Sequence, residues 1–158
     1  MNGFQPGLLD RLMDERRDEA KGAPFNLEQL KDSVARDLEA LLNTRVAFGA
    51  GRLAGYPAAR ASILHYGLID VAAFCLTSSV DRAAVCASLK DAIETHEPRL
   101  REVSASLEQG GGGVNRLNFA IHARLAVDAL AEPVNFSAVL QPSSLHYAIR
   151  RGARPARG

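Results

Sequence analysis

The chain has 158 residues, 47% of them hydrophobic and 23% charged, with a formal net charge of +1. That suits one globular domain large enough to build a core without metal or disulfide support. The near-zero charge supplies no global field for nucleic acid, and no apolar run approaches the roughly 18 residues of a membrane span.

The first element in chain order is "PGLLDRLMDERRDEA", where Leu8, Leu9, Leu12 and Met13 form a short apolar stripe. A helix of a few turns is expected there, broken by the Gly and Pro of "KGAP". The start has neither the basic end nor the apolar core of a signal peptide, so a cytoplasmic protein is expected. Next, "NLEQLKDSVARDLEALLNTR" opens on Asn26 with Gln29 three residues later, a capping-box spacing. Leu27, Leu30, Val34, Leu38, Leu41 and Leu42 then make one apolar helical face over 27–44.

"VAFGAGRLAGYPAARAS" reads as a loop, and a second turn or short helix is expected from Ile69 to Leu76. A second long helix, 80–96, starts at Ser78 or Ser79 and turns Val85, Leu89, Ala92, Ile93 and His96 inward. Pro98 forces Glu97 out of helical geometry and ends it. Cys75 and Cys86 both lie among apolar residues without metal or redox spacing, so two buried, reduced thiols are expected.

Beyond the proline the pattern alternates. Strands are expected at about 101–108, 115–127, 134–140 and 145–149, with "EQGGGGVN" and "QPSS" as turns. Helices first and strands last predict an α+β fold, with N-terminal helices packed on a small C-terminal antiparallel sheet of about four strands. Arg150, Arg151, Arg154 and Arg157 close the chain in a flexible basic tail, 150–158.

Little here reads as catalytic or cofactor chemistry. His122 and His146 should face outward on the sheet, with no ligand spacing that joins them or brings in His65 or His96. Glu94 and Glu97 could pair as glycosidase carboxylates roughly 5–9 Å apart. The neighbouring Arg99 and Arg101 would lower their pKa values, the wrong setting for a general acid. No phosphate loop and no nucleophile elbow is present. A non-enzyme without cofactor or metal is expected.

The charged corner Glu97-Pro98-Arg99-Leu100 carries the most information. Running the alternation of Val103, Ala105 and Leu107 backward places Arg99 and Arg101 on the core face, where a charge needs a partner or a rim position. A buried pair would cost about 3–5 kcal/mol when broken. An exposed knob would cost about 0–1 kcal/mol. The rim position is expected, because Pro98 already fixes the backbone.

"GLLDRLMDE", "LEALLNTR", "SILHYGLID", "EPRLREVSASLE" and "LNFAIHARL…EPVNFSAVL" occur in that order over about residues 5–149. This ordered set resembles the TssE family of type VI secretion baseplate subunits, relatives of the gene-25 wedge protein of contractile phage tails. The chain departs from the family's Asn-Tyr-Gly-Leu-Pro-Asp with His65-Tyr66-Gly67-Leu68-Ile69-Asp70, in the segment after Leu140, and in the tetraglycine. The resemblance implies a single baseplate-wedge domain, 1–149, that is structural and not catalytic. Its implied partners are TssF- and TssG-like wedge subunits and the contractile sheath protein, with no nucleic acid and no membrane insertion. It implies that Glu97, Pro98, Arg99 and Leu100 dock on a helical bundle of the wedge, and that the sheet starts sheath assembly. A phage-tail wedge protein and, in another class, a small peptidoglycan-cleaving hydrolase are the alternatives.

Overall fold

The computed structural model describes residues 3–13, 24–75, 77–108, 116–127 and 130–152. The helices are α1 (Leu8–Leu12), α2 (Leu27–Asn43), α3 (Ala50–Leu53), α4 (Pro57–Arg60) and α5 (Ser79–His96). Strands β1 (Leu100–Leu107), β2 (Leu117–Val127), β3 (Leu130–Gln141) and β4 (His146–Arg151) follow. They pair antiparallel in the order β1-β2-β3-β4. The fold is α+β, with N-terminal helices and a C-terminal sheet.

The two long helices form where their patterns place them. Asn26 accepts from the Gln29 N–H at 2.8 Å while its own N–H donates to the Gln29 side chain at 2.9 Å. Leu30, Val34, Leu38, Leu41 and Leu42 are buried below that cap. Ser78 caps α5, which buries Val85, Leu89, Ala92 and Ile93. Both helices lie on one face of the sheet against Phe119, Ile121, Leu125, Phe136, Leu140 and Tyr147. Burying a leucine or phenylalanine contributes about 1.5–3 kcal/mol, so this layer supplies the bulk of the stability.

Side chains of α2 also close the outer edge of β4. Asn43 donates to the Tyr147 carbonyl and accepts from its N–H, both at 2.8 Å. The Ile149 N–H donates to Glu39 at 2.9 Å; just past the helix end, Arg45 donates to the carbonyl of Leu145, the residue before β4, at 2.8 Å.

The structure corrects several expectations. Segment 46–62, expected as a loop, contains the short helices α3 and α4; the turn or short helix expected after Ile69 is a 3-10 turn at Val71–Ala73, following another at Ile63–His65. Cys75 therefore lies outside any helix and is exposed, while Cys86 is half-buried. β4 runs on through Arg150 and Arg151, and Arg151 pairs with Glu28 and Asp32, so these two arginines belong to the sheet. α1 is five residues long as described; the rest of the expected helix, the tetraglycine turn and Arg154 and Arg157 lie outside the described residues.

The phase of β1 is the most consequential correction. Arg101 pairs with Arg124 and Ser104 with His122, so Glu102 and Val103 together stand opposite one residue, a β-bulge. Glu102, the first residue of the bulge, takes a left-handed φ of 53°, uncommon for a residue other than glycine. The extra residue inverts the alternation upstream. Leu100 is buried and Arg101 exposed, the reverse of the backward-run pattern.

Candidate protein-docking site

α5 ends where Glu97, with φ −119° and ψ 83°, leaves helical geometry ahead of Pro98. The Glu97 N–H still donates to the Ile93 carbonyl at 2.9 Å, and the Leu100 N–H donates to the Glu97 carbonyl at 3.0 Å. The Arg99 carbonyl accepts from the Ala126 N–H at 2.8 Å, which fastens the corner to β2. Helix, turn and strand thus hold the corner at three backbone points.

The side chains then sort by burial. Glu97 is 5% exposed and Leu100 2% exposed, both turned inward. Pro98 is exposed, and the Arg99 side chain keeps 27% of its surface open. The expectation of an exposed Glu97–Arg99 knob is therefore corrected. Only Pro98 and one side of the guanidinium stand at the surface, because Glu97 folds back beneath the arginine.

Arg99 grips that carboxylate through a fork, Nε to Oε1 at 2.7 Å and Nη2 to Oε2 at 2.6 Å; its own N–H also donates to Oε1 at 3.2 Å. Such bidentate charged bonds are among the stronger ones in proteins. On the other side Nη2 reaches Asp37 at 2.5 Å and Nη1 reaches the Ser33 hydroxyl at 3.3 Å. From Ser33 the chain of contacts continues to Asp10 of α1 at 2.8 Å, then to Arg36 at 2.7 Å, and back to Asp37 at 3.0 Å. Arg99, Asp37, Arg36, Asp10 and Ser33 close a ring, with Glu97 as a spur into the core.

These contacts shift the acidity of Arg99 and Asp10 and of the neighbouring Tyr66. The Glu97 hydrogen bonds, followed by its charge, raise the Arg99 pKa against the opposing effect of burial. Burial alone would raise the Asp10 carboxyl, but bonds from Arg36 and Ser33 hold it below its ordinary value. Tyr66, edge-on to His96 with ring centroids 5.3 Å apart, is raised by burial and then by the negative Asp37 and Glu97.

Ser33, Asp37, Asp10 and Arg36 escaped the sequence reading. Ser33 and Asp37 stand at i and i+4 on α2 beside Val34 and Leu38. A polar pair at that spacing along the border of an apolar stripe is the one local signal that could have marked them.

The remaining candidates do not assemble. His122 bonds Asn135 across the strand at 2.8 Å, while His146 pairs with Gln141 at the far end of β3. Among the described residues no group of three or more His, Cys, Asp or Glu could hold a metal. One cavity of about 390 Å³ lies between Glu28, Lys31, Pro133 and Arg151, and another of about 250 Å³ between His65, Asp91 and His96. Neither is lined by Glu94 or Glu97. No helix among the described residues is long and apolar enough to cross a membrane.

Residues 28–129, from α2 through β2 and including the corner, match the family model described as "Baseplate wedge protein gp25". A chain of a solved structure, "The baseplate complex from the type VI secretion system", is similar at 20% identity and a TM-score of 0.47. The match covers 72% of this chain and 96% of that one. No curated protein matches the sequence significantly.

Proposed function

The chain belongs to the baseplate wedge protein gp25 family, and we propose on that basis that it is the TssE-type structural subunit of a type VI secretion baseplate. In this reading it works on the cytoplasmic side, joins the wedge to the contractile sheath, and starts sheath assembly from its sheet. It has no catalytic role. TssF- and TssG-like wedge subunits meet it at the corner, where Pro98 and the open side of Arg99 form the contact. Glu97 and Leu100 serve from beneath, one holding the guanidinium and the other anchoring the turn.

The observation that carries this reading is the position of the corner inside the matched region, held rigid by the bidentate pair and by Pro98. A contact surface fixed before docking loses little conformational entropy when it binds. The buried acid also keeps the guanidinium oriented, so a partner meets a preset planar donor group.

The test is co-purification with the two larger wedge subunits. Wild-type protein should capture both. Pro98→Glu keeps the ion pair and changes an exposed position, so melting should move by no more than about 2–4 °C while capture is lost. Wild-type protein that captures neither subunit would overturn the proposal.

A further inference from the structure

α1 is amphipathic in the inverted sense. Its outward side carries Leu8, Leu9, Leu12 and the adjoining Met13, at 71%, 54%, 71% and 65% exposure. Its inward side is held by the carboxylate of Asp10, which accepts from Ser33, Arg36 and the Gly7 N–H. The segment before it is pinned by paired backbone bonds between Phe4 and Phe25, at 2.8 and 2.7 Å. Hydrogen bonds and ion pairs, not burial of its own leucines, hold this helix in place.

Four adjacent large apolar side chains at such exposure form a patch of the kind that marks an interaction surface. Residues 14–23 read DERRDEAKGA and 153–158 read ARPARG, without one large aliphatic or aromatic side chain between them. Neither stretch offers apolar side chains to such a patch.

The helix that carries the patch is tied to the proposed docking corner. Asp10 and Arg99 share Ser33 as a hydrogen-bond partner, at 2.8 and 3.3 Å, so α1 and the corner are fixed to one another through a single hydroxyl. We propose that the exposed face of α1 is the apolar half of the wedge-docking surface and receives an apolar helix of a wedge subunit, beside the polar contact at Pro98 and Arg99. This rests on the docking role proposed above. Leu8–Leu12 and Leu9–Met13 are i,i+4 pairs, the ridge that packs into the groove of another helix. Met13 and the oriented Arg99 are residue types enriched at protein interfaces.

The experiment compares the full-length protein with the double variant Leu8→Ser/Leu12→Ser, using purified TssF- and TssG-like subunits as the probe. Both positions are exposed, so the variant should keep its melting temperature and its circular dichroism. Its affinity for the wedge subunits should fall roughly tenfold or more, the effect of losing two buried leucines. Unchanged affinity in the variant, with wild type binding and Pro98→Glu failing to bind, would overturn the role of α1 and leave the corner reading intact. Absence of binding by wild type would overturn both. Sedimentation of wild type alone completes the test. A concentration-dependent dimer that the double variant abolishes would assign the patch to a second copy and overturn the wedge assignment.

Discussion

Removing Arg99 offers a sharp test of the corner, because it strands a carboxylate that is 5% exposed. In Arg99→Ala, Glu97 loses its bidentate partner and keeps no cation within reach among the contacts described. Asp37 fares better, since Arg36 still bonds it at 3.0 Å. An isolated buried carboxylate escapes its desolvation by taking a proton, which sets a ceiling on the penalty. For a glutamate with an unfolded pKa of about 4.3, protonation at pH 7 costs about 3.7 kcal/mol, at 1.36 kcal/mol per pH unit. That agrees with the roughly 3–5 kcal/mol expected for breaking a buried pair. At pH 5 the same ceiling drops to about 1 kcal/mol.

The sign follows from linkage. In the variant, burial without a cation raises the folded pKa of Glu97 above its unfolded value. The penalty is therefore absent below the unfolded pKa and grows as pH rises toward the folded one. Urea unfolding of Arg99→Ala and wild type at pH 5, 6 and 7 should show a stability difference that widens from about 1 to about 3–4 kcal/mol. At pH 7 this corresponds to a melting drop of roughly 6–16 °C. Glu97→Ala removes the acid and leaves Arg99 with Asp37, Ser33 and water. It should cost less, about 1.5–3 kcal/mol, with no such widening. A loss below about 1 kcal/mol that is flat with pH would mean an exposed pair, and would refute the buried-network reading.

Three further outcomes follow from the geometry. Asp10→Asn should flatten part of the acid-side loss of stability. The wild-type carboxyl lies below its ordinary value near 3.8, so its contribution is complete above that value and disappears as pH falls through the lower one; acid melts of the two proteins should converge below about pH 4. Gly67→Ala should destabilise by about 1–3 kcal/mol or more, because Gly67 has φ +118° and a new Cβ would sit 2.5 Å from the Thr44 carbonyl; an unchanged denaturation midpoint would contradict this. Cys75 should react with a disulfide reagent well before Cys86. The Thr77 hydroxyl lowers the exposed Cys75 thiol's pKa while burial raises that of Cys86, and Cys75→Ala should abolish the fast phase.

Much of the architecture was legible because it is written at short range. Asn26 and Gln29 are three residues apart, the leucines of α2 repeat at helical spacing, and the odd positions from Phe119 to Leu125 alternate into the core while His122 stays exposed. The corner was legible only as a local oddity. Its charged partners Asp37 and Ser33 lie 62 and 66 residues from Arg99, a distance no periodicity spans. The phase error at Arg101 has a different cause. A bulge adds one residue without changing composition, and Glu102 does not announce a left-handed backbone as glycine would. Cys75 misled because apolar neighbours in sequence implied burial, whereas the chain there turns outward toward Thr77 with the thiol 3.0 Å from its hydroxyl.

The bonds from Asn43 and Glu39 to β4 give the sheet a polarity. Asn43 offers Tyr147 one donor and one acceptor, as a neighbouring strand would, so α2 stands in for a fifth strand at that margin. A foreign strand arriving there would have to displace those bonds as well as form its own. β1 lies at the opposite margin, and its entrance carries the bulge and two charged, exposed residues, Arg101 and Glu102, features that discourage casual pairing. Runaway edge-to-edge stacking needs two receptive margins per molecule. Among the described residues this sheet keeps one, so a stray encounter between two copies through β1 ends as a closed pair and cannot propagate into a fibre.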